Sequence, residues 1–196
     1  DGVRVEADYD YMGRRLFKKV YNNNTLTKHS VFVYDEFKQI AEFDVLNNNS
    51  LKACCLWQPV GLDVVLLRNS EYLIADGNKN IIQVRNATGS VTDSYIYDPF
   101  GKVTHNGTSE NPFQFSSEFY DNEIGFIYYN YRYYMPNLGR WINRDPLCEQ
   151  FGEDMYAICT NSICNMFDAL GLRSRAPGGH HIIPWKYIKN EQLFSD

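Results

Sequence analysis

The chain has 196 residues, 44% of them hydrophobic, enough to bury a core as one domain or as a piece of a larger one. A formal net charge of −5 argues against a general nucleic-acid-binding surface, and no apolar run approaches the length of a membrane span. Fifteen Tyr and twelve Phe, set among many Asn and Gly, favour short strands and turns over helices.

The amino terminus carries no signal-like segment. It opens on Asp1 in mid-pattern, so a piece of a longer protein is expected. Five Cys, two of them adjacent at Cys54-Cys55, lack the even count and regular spacing of a secreted disulfide framework, and free thiols are expected. Asn23, Asn48, Asn86 and Asn106 each begin an N-x-Ser/Thr triplet, which matters only in a glycosylating pathway.

Taken in order, the chain repeats. Tyr-Asp pairs fall at Tyr9-Asp10, Tyr34-Asp35, Tyr97-Asp98 and Tyr120-Asp121, with a degenerate member at Ala75-Asp76-Gly77. The Asp spacings are 25, 41, 22 and 23, the second being about two units. A fixed period of this size means units that bury their faces only against neighbours. Inside a unit the pattern predicts a hairpin. The Asp starts a turn by binding its own backbone, a Gly such as Gly13 or Gly101 takes a positive φ, and flanking aromatic and β-branched residues pair across strands.

The stretch 47–61 is less regular and reads as a longer loop. Residues 63–67 and 72–75 read as neighbouring strands around a turn at 68–71, and 76–80 as a turn leading into a strand at 81–84. A turn-rich connection is expected over 105–112, and 113–116 is expected to resume the sheet. A short helix over 155–159 interrupts an otherwise all-β chain. Glu149, Glu153 and Asp154 read as solvated surface or as capping groups for that helix.

The stretch 125–172 organises the rest. A Tyr-rich run leads into GRWINRDP (139–146), then a short helix-like piece, then DALGL (168–172). This arrangement resembles the carboxy-terminal core of Rhs (rearrangement hotspot, YD-repeat) proteins. The resemblance implies a spiralling β-sheet shell built from the Tyr-Asp hairpins, with a small, mostly irregular plug at its end. It divides the chain into a shell fragment at 1–124, the Rhs repeat-associated core at 125–172, and a linker with the start of a variable toxin at 173–196.

Two carboxylates bracket the core motif, Asp145 and Asp168. Aspartyl peptide hydrolysis needs two such groups close together sharing one proton, the ionised one drawing a proton from water while the other polarises the carbonyl. By resemblance these two are the catalytic pair of a self-cleavage after Leu172. Arg144 and Arg140 are near enough in sequence to orient a carboxylate. Taken without the resemblance, Asp145 reads as a turn cap before Pro146 and Asp168 as the start of a turn ending at Gly171. Ala169 stands where the family usually has proline, which removes a backbone restraint beside the carboxylate. Cys148, Cys159 and Cys164 lack the paired spacing of a zinc site and read as small buried hydrophobes.

After Leu172 the composition changes. Gly178-Gly179-His180-His181 resembles the opening of HNH/endonuclease VII-like toxin nucleases, which implies a divalent metal held by His180 or His181, the other histidine acting as base. Too few residues follow to complete such a site, so the nuclease is truncated here. The resemblance as a whole implies a polymorphic toxin made in a bacterial cytoplasm and then secreted or displayed. Its implied partners are the encapsulated toxin, an immunity protein, a secretion-system component and, for a complete toxin only, nucleic acid. A different class of function is a YD-repeat surface protein that binds carbohydrate through its tyrosines and asparagines and makes no cut.

Overall fold

The computed structural model describes residues 2–59, 64–145, 154–161, 166–168, 170–172 and 174–175. Ten strands run in chain order as one antiparallel sheet. They are β1 (Val3–Tyr9), β2 (Arg15–Asn22), β3 (Thr25–Asp35), β4 (Lys38–Asp44), β5 (Ser50–Trp57), β6 (Val65–Arg68), β7 (Glu71–Ala75), β8 (Ile81–Arg85), β9 (Val91–Tyr97) and β10 (Val103–Gly107). A second antiparallel meander comprises β11 (Phe119–Asp121), β12 (Phe126–Tyr129), β13 (Arg132–Met135) and β14 (Arg140–Trp141). Last, β15 (Phe167–Asp168) pairs with β16 (Ser174–Arg175). The all-β reading holds.

One turn recurs along the first sheet. At Asp10, Oδ1 accepts the N–H groups of Met12 and Arg14, two and four residues on, both at 2.9 Å. Asp76 does the same for Asn78 and Asn80, and Asp98 for Phe100 and Lys102. Asn86 makes the same turn, accepting from Thr88 and Ser90 at 3.0 Å. The residue three past each Asp or Asn takes a left-handed φ: Gly13 +73°, Lys79 +68°, Gly89 +84° and Gly101 +82°. Lysine at 79 carries a strain of roughly 1–2 kcal/mol that glycine avoids. Asp35 and Asp121 depart from this turn. Asp35 lies opposite Lys38 across a two-residue hairpin, and Asp121 is wholly buried. The β2–β3 hairpin turns instead on Asn23 and Asn24, at φ +47° and +62°, where asparagine suits a mirror-image two-residue turn.

Several local expectations are corrected. Most of the stretch 47–61 is not loop, because β5 occupies Ser50–Trp57, with Ala53 fully buried and Asn48-Asn49 supplying the left-handed turn before it. Strand β10 runs on to Gly107, so the turn-rich connection starts later than His105. The sheet does not resume at 113–116. Phe113 makes one bridge to Phe119, and Phe115–Ser117 is a 3-10 turn with Ser116 and Ser117 left-handed. Residues 155–159 are no helix either; the helical turn there is Cys159–Asn161, and Arg140 bridges Ala157 in strand fashion.

The sheets join through a shared core. Phe32, Val65, Leu73, Ile81, Val84 and Tyr95 of the first pack with Phe119 and Tyr128 of the second, and Phe113 fills between. Burial of side chains this size contributes about 1.5–3 kcal/mol each. Into this apolar layer the sequence also sends charge. Arg15, 0% exposed, places Nη1 2.6 Å from Asp121 Oδ2, and its guanidinium lies 4.6–4.8 Å from the rings of Phe32, Phe119 and Tyr128. Lys18 reaches Asp121 at 2.7 Å and Glu123 at 3.0 Å, and Lys28 also reaches Glu123 at 3.0 Å. Every pair runs from the first sheet to the β11–β12 hairpin, so this network fastens the two sheets together.

The network has a pH signature. Burial works to raise the Glu123 carboxyl, but Lys18 and Lys28 outweigh it and hold it at about 2, against an ordinary value of 4.5. Its stabilising contribution is therefore complete above about pH 4.5 and lost as pH falls towards about 2. The urea midpoint of the parent should drop across that window more steeply than that of Glu123→Gln, and the two should differ most near neutrality. Asp121→Asn strips the buried Arg15 of its counter-charge and should cost about 3–5 kcal/mol in the same measurement.

Candidate functional site

The site is built on the hairpin between β12 and β13. Tyr129 pairs with Arg132, and Asn130, at φ +42°, begins the two-residue turn between them. Alternation along β13 turns Arg132 and Tyr134 inward, leaving a guanidinium 3% exposed in an aromatic layer. Buried charge of that kind must be paired, and Arg132 is paired twice. Its Nη1 lies 2.9 Å from Asp145 Oδ2, and its Nη2 lies 3.0 Å from Asp168 Oδ2. Its Nε donates to the carbonyl oxygen of Gly171, and the guanidinium stacks 4.1 Å over the Trp141 ring. Burial pulls the Arg132 pKa down, and Asp168 and Asp145 restore only part of the loss.

One guanidinium thus brings Asp145 and Asp168 together. The two differ in setting: the Asp145 side chain is 20% exposed and that of Asp168 only 3%. Asp145 is anchored through its backbone N–H, which donates to the Met155 carbonyl at 3.2 Å. Asp168 uses its other oxygen, Oδ1, to accept from Leu170 at 3.3 Å and Leu172 at 3.0 Å. That is the turn of Asp10, Asp76 and Asp98 once more, and the residue three past it, Gly171, has φ +70°. The expected cleavage motif and the repeat turn share one geometry. The connection between β15 and β16, where a cut after Leu172 would fall, is held by it.

Arg144 places its Nε 2.8 Å from the Met155 sulfur, and Arg140 pairs at 3.5 Å with Asp154 on the surface. The clamping arginine is Arg132, which sequence reasoning missed. A signal was present: a single charge inside FIYYNYRYYM, on the strand face that alternation buries. Cys159 sits beside the cluster. Burial first, then Asp168, push its thiol up to about 12 against the opposing pull of Arg132 and Lys79, so it is neutral at ordinary pH and no nucleophile.

Among the described residues no group of three His, Cys, Asp or Glu side chains is placed to hold a metal. His180 and His181 lie outside the described residues, as do Ala169, Cys148, Cys164, Glu149 and Glu153. No described helix is long and apolar enough to cross a membrane.

Gly171 tests the close packing of this turn. A Cβ there would meet the Tyr129 carbonyl oxygen at 2.8 Å and Arg132 Cβ at 3.2 Å, at a φ that side chains disfavour. Gly171→Ala should therefore lower thermal stability by about 1–3 kcal/mol. Gly77→Ala, where a Cβ meets nothing within 4 Å, should change it by less than about 0.5 kcal/mol.

Comparison with known proteins agrees with this architecture. The Toxin protein Tse5 of Pseudomonas aeruginosa is 38% identical over 211 residues, covering 88% of this chain and 16% of that protein. Salivary gland surface protein 1 of Aedes aegypti is 26% identical over 181 residues, covering 85% of this chain and 5% of that protein. Among solved structures, a TcdB2-TccC3-TEV crystal structure superposes with a TM-score of 0.68 at 18% identity, over 88% of this chain and 9% of that one. The chain thus spans a small part of the length of these relatives. Residues 2–163 match the family described as Teneurin YD-shell, and the chain belongs to that family.

Proposed function

We propose that this chain is part of the shell of a secreted YD-shell polymorphic toxin, and that Asp145, Asp168 and Arg132 form its self-cleavage site, acting after Leu172. One observation carries the reading: a buried guanidinium gathers both carboxylates and the Gly171 carbonyl, one residue from the expected cut. The 38% identity to Toxin protein Tse5 over most of the chain supports a toxin context.

In this reading Asp168 presents the segment, since its Oδ1 fixes the Leu172 N–H. Asp145, the more exposed carboxylate, takes a proton from water. The resulting hydroxide adds to the Leu172 carbonyl carbon, the bond to the Arg173 nitrogen breaks, and that nitrogen takes up the proton. Arg132 supplies the positive charge that two neighbouring carboxylates and a developing oxyanion need. Asp145 thus keeps the proton-accepting role expected of one carboxylate, while Asp168 holds the segment through the Leu172 N–H instead of polarising the carbonyl, a task that passes to Arg132.

The released part would be an effector beginning near residue 173, enclosed by the shell until delivery through a secretion system and neutralised in the producer by an immunity protein. By its Gly-His-His resemblance that effector is a metal-dependent, HNH-like nuclease acting on nucleic acid. A divalent metal bound there would supply an activated water.

The test is the intact mass of the expressed chain beside Asp145→Asn and Asp168→Asn. The parent should yield fragments of 172 and 24 residues and both variants should stay whole. Cutting that persists in either variant would refute the assignment. A parent that stays whole would favour the carbohydrate-binding surface protein without cleavage, and Ala169→Pro, which restores the family residue, would then be expected to leave it whole too.

A further inference from the structure

The hairpin that carries Arg132 is gripped from the first sheet, and the grip leads to the cleavage turn. At its tip stands Tyr131. On one side Gly13, in the Asp10 turn between β1 and β2, lies so close that a Cβ there would meet the Tyr131 ring at 3.1 Å and the Asn130 carbonyl oxygen at 3.3 Å. On another, Phe37, in the hairpin between β3 and β4, places its ring centroid 6.1 Å from that of Tyr131. Burial first, and then the charge of Asp10, raise the Tyr131 hydroxyl, while Arg14, paired with Asp10, lowers it in part. Those two turns are tied to each other, because Arg14 Nη1 donates to the Glu36 carbonyl at 3.0 Å. They are tied to the hairpin as well, because the Tyr128 hydroxyl donates to the Gly13 carbonyl at 2.6 Å.

From the same residue a bond runs the other way. The Tyr131 backbone N–H donates to the Leu170 carbonyl at 3.3 Å, in the middle of the turn that Asp168 closes onto Leu172. Gly171 lies against Tyr129 and Arg132 on either side of that bond. The cleavage turn therefore rests on the hairpin tip, and the tip is held by two turns of the shell sheet, more than 90 residues earlier in the chain.

We propose that Tyr131 is a positioning residue that makes self-cleavage depend on the shell being closed over the core. With the turns of Gly13 and Phe37 seated, Tyr131 is fixed and the segment 168–172 is presented to Asp145 and Arg132. With the shell open, Tyr131 is free to move, the Leu170 carbonyl loses its donor, and the turn drifts from Asp145. Premature cutting during synthesis is avoided, since residues 13 and 37 must be docked on the hairpin first. This proposal rests on the self-cleavage reading.

The experiment has two arms. In an Asp145→Asn background, which keeps the chain whole, hydrogen exchange is followed at the Leu170 and Leu172 amides. Tyr131→Ala and, from the other sheet, Phe37→Ala should each speed that exchange about tenfold or more while amides in β7 to β9 keep their rates. Tyr131→Phe, which keeps the ring and the backbone donor, should match the background. Unchanged exchange at Leu170 and Leu172 in both alanine variants overturns the proposal, whether or not the parent cuts. A rise shared by the whole sheet also overturns it, because Tyr131 would then be a general stabilising residue. In the second arm, with Asp145 present, cleavage in Tyr131→Ala should slow by up to about 100-fold, as for an ångström-scale misplacement, with Tyr131→Phe restoring it. Cleavage at the parental rate in Tyr131→Ala refutes the coupling. A parent that does not cut refutes the self-cleavage reading by itself, and the exchange arm still decides whether the shell holds the turn.

Discussion

A carboxylate or amide oxygen that accepts two backbone N–H groups, two and four residues ahead, is the constraint on which both the sheet and the site depend. It reverses the chain within five residues without help from elsewhere in the fold, which is what a meander of short strands requires. The second oxygen is then left for another task. At Asp10 it takes Arg14, at Asp76 it takes the side-chain amide of Asn80, and at Asp168 it takes Arg132. A local device for turning the chain thus becomes, at its last described use, a means of presenting a peptide segment to an arginine.

The buried charges between the sheets follow a different logic. Arg15, Lys18, Asp121 and Glu123 would pack more cheaply as hydrocarbons, since desolvating an ion pair costs several kcal/mol before any attraction is recovered. What they provide is registry. Aromatic surfaces of similar size slide over one another at little cost, whereas a guanidinium among three rings with one carboxylate within reach has a single position. Shifting β11 by one residue against its partner β12 would turn Asp121 away from Arg15 and strand both charges. The same principle operates at Arg132, where one guanidinium fixes residues 145, 168 and 171 relative to each other.

Legibility in the sequence divides along this line. The all-β meander was readable because its turns are local: Asp10, Asp76 and Asp98, with Gly13 and Gly101 three residues on, state their geometry within five positions. Asn86 was passed over as a glycosylation triplet although Gly89 stands at the same offset, and an amide oxygen accepts as a carboxylate does. Strand β5 was missed because Lys52, Cys54 and Cys55 blur its alternation and its register shifts where β4 passes from Glu42 to Phe43. Asp35 and Asp121 show the opposite error, in which a matching dipeptide serves another purpose. The gathering of Asp145, Asp168 and Gly171 on Arg132 was not readable from spacing, because it is decided by how β13 packs. Only the buried-face charge in an aromatic strand hinted at it.

The family of turns also separates the two duties of Asp168. Asn86 shows that an amide oxygen closes this turn with bonds of 3.0 Å, so turning the chain at 168 does not require a negative charge. Lys79 shows that even the glycine three residues on is dispensable when strain of a kcal/mol or two is tolerated. At 168 both the charged residue and the glycine are present, and each has a specific use. Gly171 admits the Tyr129 carbonyl and Arg132 to distances that a side chain would forbid, and the charge of Asp168 answers the buried guanidinium. Arg132 is nearly sealed from water, so taking the charge from Asp168 would leave it to Asp145 alone, the more solvated of its two partners. The stringency of the sequence at 168 to 171 is therefore set by Arg132, and the arginine, more than either carboxylate, is where the demands of folding and of the proposed chemistry coincide.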